Sequence, residues 1–204
     1  MGVTAGAAAR MAAAAVIALT ACVGGALAQG YSIGERLKPA PGKAAAPAPG
    51  AAREITWDDL VPADWKPSKL LNSLDLGTLD DADPRAIEAM AKLRAEWDRA
   101  PVVQSISGQR VKIAGFLVNL ESSREGVGEF LLVPYFGACI HVPPPPLNQI
   151  IHAFAERPVP DKVAQGPVWI TGAIEVVRGD TRLAAAGYRM RDVRVEPWVA
   201  PKGR

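Results

Sequence analysis

The sequence predicts a mainly β fold: a small five-stranded barrel of the oligonucleotide/oligosaccharide-binding (OB) type, preceded by one N-terminal α-helix. Two observations predict it. After Gly108 the apolar residues alternate with polar ones and β-branched residues become frequent, which is typical of strands. Before that point a single segment carries apolar residues at helical spacing. Five strands that follow one helix favour a closed or nearly closed OB-like barrel.

The strand pattern repeats five times in the second half of the chain. Gly115 and Gly172 fall inside strands, where glycine often marks a bend or bulge that lets a sheet curl. The predicted strands are Val111–Leu120, Glu129–Pro134, Asn148–Ala155, Val168–Val177 and Tyr188–Pro197.

The helix is predicted over residues 84–99. Asp83 is a good N-cap and Pro84 suits the first helical position, while Pro101 follows the end. Its apolar stripe, which we expect to face the core, consists of Ala86, Met90, Leu93 and Trp97, with Ile87 beside it.

Residues 1–28 have the features of a signal peptide. Arg10 precedes the apolar run Met11–Leu19, and Ala26-Leu27-Ala28 is a small-x-small cleavage pattern. The run is shorter than the roughly 20 residues that a membrane span needs. Leu19-Thr20-Ala21-Cys22 also resembles a lipobox, in which Cys22 would be lipidated. Both alternatives predict export, to a periplasmic location with or without a lipid anchor.

Residues 29–53 are rich in Ala, Pro, Gly and Lys and offer little to bury, so the sequence predicts a flexible tether. One domain is expected from 54 to 200. Trp57, Leu60 and Trp65 are the large apolar residues that we expect to fix its lead-in to the core.

Charge and cysteine content exclude several classes of function. The chain has 23 Lys and Arg against 21 Asp and Glu, scattered singly, so the basic stripe of a nucleic-acid-binding protein is missing. Outside the signal peptide only Cys139 remains, and one cysteine cannot form an internal disulfide. Cys139 is therefore a buried thiol, a metal ligand or half of an intermolecular bond.

The stretch from Pro134 to Gln149 is the most distinctive chemically. If it is extended, Cys139 and His141 project to the same side, and thiolate with imidazole suits zinc or copper. His152 is the third candidate ligand. The acids that could complete such a site are Glu121, Glu129 and Asp192.

Four prolines follow this pair. Pro143, Pro144, Pro145 and Pro146 predict a stiff polyproline II segment that could order a binding loop or present a platform to a partner. Asn148 and Gln149 are expected to cap this loop through bonds to the backbone.

The alternatives to metal binding stay open at this point. Cys139 lies between Ala138 and Ile140 and could be a plain core residue, with His141 bonding loop carbonyls. A thiol enzyme is disfavoured because neighbours two apart on a strand project in parallel, and no catalytic motif is present. We assign no catalytic residue.

These residues also resemble a known family, the bacterial exported proteins catalogued as domain of unknown function 3299. The resemblance rests on Trp57–Pro62, Val111–Phe116 and Phe130–Ile150 and covers about Ile55 to Trp198; Asn119 departs from the family pattern. It implies a secreted or lipid-attached envelope protein without a settled activity, often thought of alongside transporter components of metal uptake. The sequence thus predicts a periplasmic accessory protein that captures zinc for an inner-membrane transporter. The alternative is an interaction module of an envelope complex that uses the proline loop.

Overall fold

The computed structural model describes residues 30–37, 51–66 and 83–199. The predicted signal peptide, with Cys22, lies outside the described residues. The strands are β1 (Arg53–Glu54), β2 (Arg110–Ser123), β3 (Gly126–Val133), β4 (Ile151–Val159), β5 (Pro167–Asp180) and β6 (Ala185–Pro197). Each of the five predicted strands is confirmed by one of β2 to β6.

Strands β2 to β6 close into a barrel. β2 pairs antiparallel with β3 along its second half and with β5 along its first half, and Phe116 belongs to both registers. β3 pairs with β4 and β5 with β6, both antiparallel, while β4 and β6 are parallel. The closed order β2-β3-β4-β6-β5 is the Greek-key arrangement of an OB barrel, as predicted. The short β1 adds a parallel strand beside β2.

The barrel interior holds alternate residues of each strand, as a pleated strand requires. Its largest fully buried side chain is Tyr188, whose hydroxyl donates to the carbonyl of Leu60 at 2.6 Å and accepts from the amide of Val103 at 2.8 Å. The indole of Trp57 donates to the carbonyl of Ala114 at 2.8 Å. The lead-in is therefore fixed to the barrel by Trp57 and Leu60, as predicted. The third predicted anchor, Trp65, is half-buried and belongs to neither hydrophobic cluster of the described residues.

Helix α1 (Pro84–Trp97) begins where predicted, and the carboxylate of Asp83 accepts from the amide of Arg85. Its buried face differs from the predicted stripe, because Ala89 is buried while Met90 is 38% exposed and Ile87 59% exposed. Ala86, Ala89 and Leu93 face inward, so two residues of the predicted stripe are confirmed, whereas Met90 and Ile87 lie on the flank of the helix. A second helix, α2 (Asp161–Ala164), is a single turn between β4 and β5.

A second hydrophobic cluster covers the outer wall of the barrel. We call it the outer cluster; its buried members are Phe116, Val118, Leu120, Leu131, Val133, Ala138, Ile150 and Ala186. Sheet faces that point away from a barrel interior usually meet water, so this one requires a cover. The cover comes from residues 135–139 and from residues 30–37, which we call the N-terminal strap.

The strap corrects the tether prediction. The ring of Tyr31 lies 5.1 Å from that of Phe116, edge to face, and the amide of Gly34 donates to the carbonyl of Phe136 at 2.8 Å. At the other end of the predicted tether, Arg53 pairs with β2. The two ends of the predicted tether therefore lie on the barrel. The first end packs there because Tyr31 and Leu37 supply apolar surface. Residues 38–50 lie outside the described residues. Within the described ranges, no helix has the length and apolar character to cross a membrane.

Candidate functional site

The segment with Cys139 is a tight turn rather than an extended strand. Gly137 and Cys139 both have positive φ, 80° and 66°. The carbonyl of Gly137 accepts from the amides of Ile140, His141 and Val142 at 3.3, 2.8 and 3.2 Å. Cys139 and His141 therefore do not project in parallel as extended neighbours: Cys139 packs against the outer cluster, while His141 is exposed.

The environment of the Cys139 thiol keeps it protonated near neutral pH. Burial raises its pKa to about 11, and the nearby guanidinium of Arg94 only partly opposes this. Burial also raises the pKa of the neighbouring Tyr135 hydroxyl to about 12, with Cys139 adding to the rise and Arg36 opposing it. Because the thiolate is the nucleophile and the metal ligand, this environment favours a packing role for the thiol.

His152 lies on the outer face of β4 and has its own partner. Its Nε2 atom is 2.7 Å from Oε1 of Glu129 on β3, and its ring packs 4.5 Å from that of Phe154. Of the three acidic residues that the sequence suggested, Glu129 is therefore the one that contacts a predicted ligand, His152. Glu121 and Asp192 are exposed.

The structure does not gather Cys139, His141 and His152 into one set of ligands. Within residues 30–37, 51–66 and 83–199, no three His, Cys, Asp or Glu side chains are grouped so that they could hold a metal ion. A pair of donors at His152 and Glu129 leaves two further positions to fill for tetrahedral zinc. The metal-binding role of the three residues stays a prediction.

Most of the proline segment is buried rather than exposed. Pro144, Pro145 and Pro146 are buried, whereas Pro143 is exposed and its carbonyl accepts from the hydroxyl of Tyr135 at 3.1 Å. The prediction of an exposed proline platform is therefore wrong for three of the four residues. Prolines bring no amide donors to satisfy, so they can be buried without orphaned N–H groups.

A 3-10 turn at Leu147–Gln149 completes the loop. The side-chain amide of Asn148, which is fully buried, donates to the carbonyl of Pro101 at 2.9 Å. The side-chain oxygen of Gln149 accepts from Arg36 of the strap at 2.8 Å. As expected, both residues fix the loop, but not through the loop's own backbone. Asn148 bonds to the connection between the helix and the barrel, and Gln149 bonds to the strap.

The tip of this loop reaches solvent. Ile140 is 66% exposed and Ile33 of the strap is 57% exposed. Ile33 and His141 lie around Gly137: a Cβ atom built there would be 3.3 Å from Cγ2 of Ile33 and 3.6 Å from the side chain of His141. The backbone amide of Ile140 donates to the carbonyl of the same glycine at 3.3 Å. We call Ile33, Ile140 and His141 the tip patch. Sequence reasoning missed the contribution of Ile33; the nearby Tyr31 and Leu37 were the available signal that this segment could dock.

The comparisons with known proteins bear on the whole barrel. A comparison with curated proteins gives no significant match. The crystal structure of a DUF3299 family protein from Pseudomonas aeruginosa PAO1 is similar, with 39% sequence identity and a TM-score of 0.59 over 74% of this chain and 99% of that chain. The model of the family described as "Protein of unknown function (DUF3299)" matches residues 57–197. The chain therefore belongs to the DUF3299 family.

Proposed function

We propose that this protein is a non-catalytic interaction module of the bacterial envelope, exported to the periplasm, that docks on a protein partner through the tip patch. The observation that carries the proposal is the contrast within one loop. Its base, from Pro144 to Ile150, is buried and bonded on several sides, whereas Ile140 at its tip is 66% exposed.

Such an arrangement suits binding because a rigid loop loses little conformational entropy when a partner covers it. Exposed apolar residues that form a contiguous patch mark protein–protein interaction sites in many proteins. Cys139 then has a structural role: it supports the tip from beneath, packed on the outer cluster. The ionisation of its thiol is not required.

The test compares two exposed aliphatic residues at different places. Ile140→Asp changes the tip patch, and Val199→Asp changes a residue that is 77% exposed near the end of β6. A photo-crosslinking amino acid is also placed at each position in living cells. We expect a discrete crosslinked partner from position 140 and loss of its co-purification in Ile140→Asp only. Equal results at both positions, with both variants folded, would contradict the proposal.

Zinc capture for an inner-membrane transporter stays a separate prediction. It requires that the exported protein bind zinc in a defined stoichiometry and that Cys139→Ala and His141→Ala each remove the binding. Unchanged zinc titrations in both variants would remove this prediction without affecting docking at Ile140.

A further inference from the structure

We infer that the N-terminal strap regulates docking at the tip patch: the partner covers Ile33 and Ile140 together, and this composite surface exists only while the strap is docked on the barrel. The inference rests on the proposed function and names the regulation of the same site. It follows from two observations. The tip patch is built from two distant segments, and one of these segments can leave the barrel without breaking the pairing of its strands.

The tip patch combines residues that are far apart in the sequence. Ile33 belongs to the strap, whereas Ile140 and His141 belong to the loop after β3. The two segments meet at Gly137. Its carbonyl accepts from the amides of Ile140 and His141, and a Cβ atom built on it would be 3.3 Å from Cγ2 of Ile33. Release of the strap removes Ile33 from this place, so a partner that covers Ile33 and Ile140 together binds the docked form.

The strap is bonded to the loop rather than to the strands of the barrel. Its backbone forms a short antiparallel bridge, in which the amide of Gly34 donates to the carbonyl of Phe136 at 2.8 Å and the amide of Phe136 donates to the carbonyl of Glu35 at 3.0 Å. The ring of Tyr31 adds an edge-to-face contact with Phe116. Because the backbone bonds end on residues after β3, the strap can undock while the strand pairing of the barrel stays intact.

Partner binding and strap docking are therefore linked. A partner that contacts both segments favours the docked form, and by reciprocity whatever stabilises the docked strap raises the affinity for the partner. The apparent dissociation constant equals the intrinsic constant divided by the docked fraction. A variant in which about one molecule in ten is docked therefore binds about tenfold more weakly.

The experiment changes residues that hold the strap but do not belong to the tip patch. Tyr31→Asp places a carboxylate beside the ring of Phe116. The double variant Tyr31→Asp/Gly34→Val also puts a β-branched residue at a φ of 84°, a backbone conformation that such residues rarely adopt. Gly30→Asp is the matched control, because Gly30 is exposed and a Cβ atom there has nothing within 4 Å.

The readout is photo-crosslinking in living cells, with the crosslinking amino acid at position 33 or at position 140. We expect both positions to capture the same partner. The yield from position 140, per amount of folded protein, should fall at least about tenfold in the double variant and remain unchanged in Gly30→Asp. Tyr31→Asp alone should also lower this yield.

Two results would overturn this inference and leave docking at Ile140 intact. One is a partner that is captured from position 140 but never from position 33. The other is an unchanged yield from position 140 in the double variant. The absence of a discrete crosslinked partner from position 140 of the otherwise unchanged protein would overturn both this inference and the proposed function.

Discussion

The imidazole of His152 and the carboxylate of Glu129 form a contact of 2.7 Å across the neighbouring strands β3 and β4. The side chains are 14% and 29% exposed, so the pair is partly shielded from water. Bonds of this kind contribute more than exposed ion pairs because the competing solvent is reduced. The pair gives His152 a structural role on the barrel wall, away from the exposed side chain of His141.

We predict that a double-mutant cycle on His152→Ala and Glu129→Ala gives a coupling free energy of about 1 kcal/mol, measured by chemical denaturation. The matched pair is Arg178 and Asp180, at 2.9 Å but 51% and 69% exposed, for which we expect less than about 0.5 kcal/mol. Equal couplings for the two pairs would show that shielding does not strengthen the His152 contact.

The thiol of Cys139 allows a prediction about pH. Burial raises its pKa from the ordinary thiol value of 9.0 to about 11 in the folded protein, so between these values the unfolded chain has lost its proton while the folded one keeps it. The unfolded state then binds fewer protons, and the free energy of unfolding falls as pH rises through this window. The contribution is fully present below pH 9.

The measurement is chemical denaturation as a function of alkaline pH for the wild type and Cys139→Ala. We expect the wild type to lose stability relative to the variant above pH 9, and alkylation of the native thiol near neutral pH to be much slower than in denaturant. Fast labelling of the native protein near neutral pH would instead indicate a reactive thiol, and with it a redox or nucleophilic role.

The barrel could be predicted because the residue pattern that specifies each strand lies within that strand. Alternating apolar residues define a strand wherever they occur. Of the two glycines within strands, Gly172 marks an irregularity as expected, whereas the pairing of β2 shows no register shift at Gly115. Gly172 lies at a register shift between β5 and β6, and a Cβ atom at Gly115 would be 2.7 Å from Leu132. The prediction that Met90 lies in the core was wrong. Ala89 and Met90 are three and four residues after Ala86, and helical spacing alone does not distinguish which of the two is buried.

The candidate site was less predictable because it depends on backbone angles and on distant segments. Nothing in the sequence indicates that Cys139 has a φ of 66°, and this angle decides whether its side chain runs parallel to that of His141. The contact between Arg36 and Gln149 joins residues 113 positions apart. Burial of the three prolines likewise depends on elements that meet only in the folded chain.

Gly126 and Gly128 give a matched pair of substitutions on β3. Gly126 has a φ of 129°, and a Cβ atom there would overlap the carbonyl of Val159, whereas one at Gly128 has nothing within 4 Å. We predict that Gly126→Ala lowers the free energy of unfolding by about 1 to 3 kcal/mol, while Gly128→Ala changes it by less than about 1 kcal/mol. Similar losses from both, in thermal or chemical denaturation, would show that the turn between β2 and β3 relaxes.

The strap gives the last prediction, because it covers the outer cluster and also supplies Ile33 to the tip patch. Tyr31 packs edge to face on Phe116 and lies 6.5 Å from the ring of Phe136, so Tyr31→Ala should release the strap at a cost of about 1 to 2 kcal/mol. We expect faster proteolysis within residues 30–37 and binding of a hydrophobic dye to the uncovered wall. Ile33→Ala is the control, since Ile33 is 57% exposed, and should leave both readouts unchanged. If Tyr31→Ala also leaves them unchanged, the strap is held by its backbone bonds to Phe136 and by Arg36 rather than by its aromatic contact.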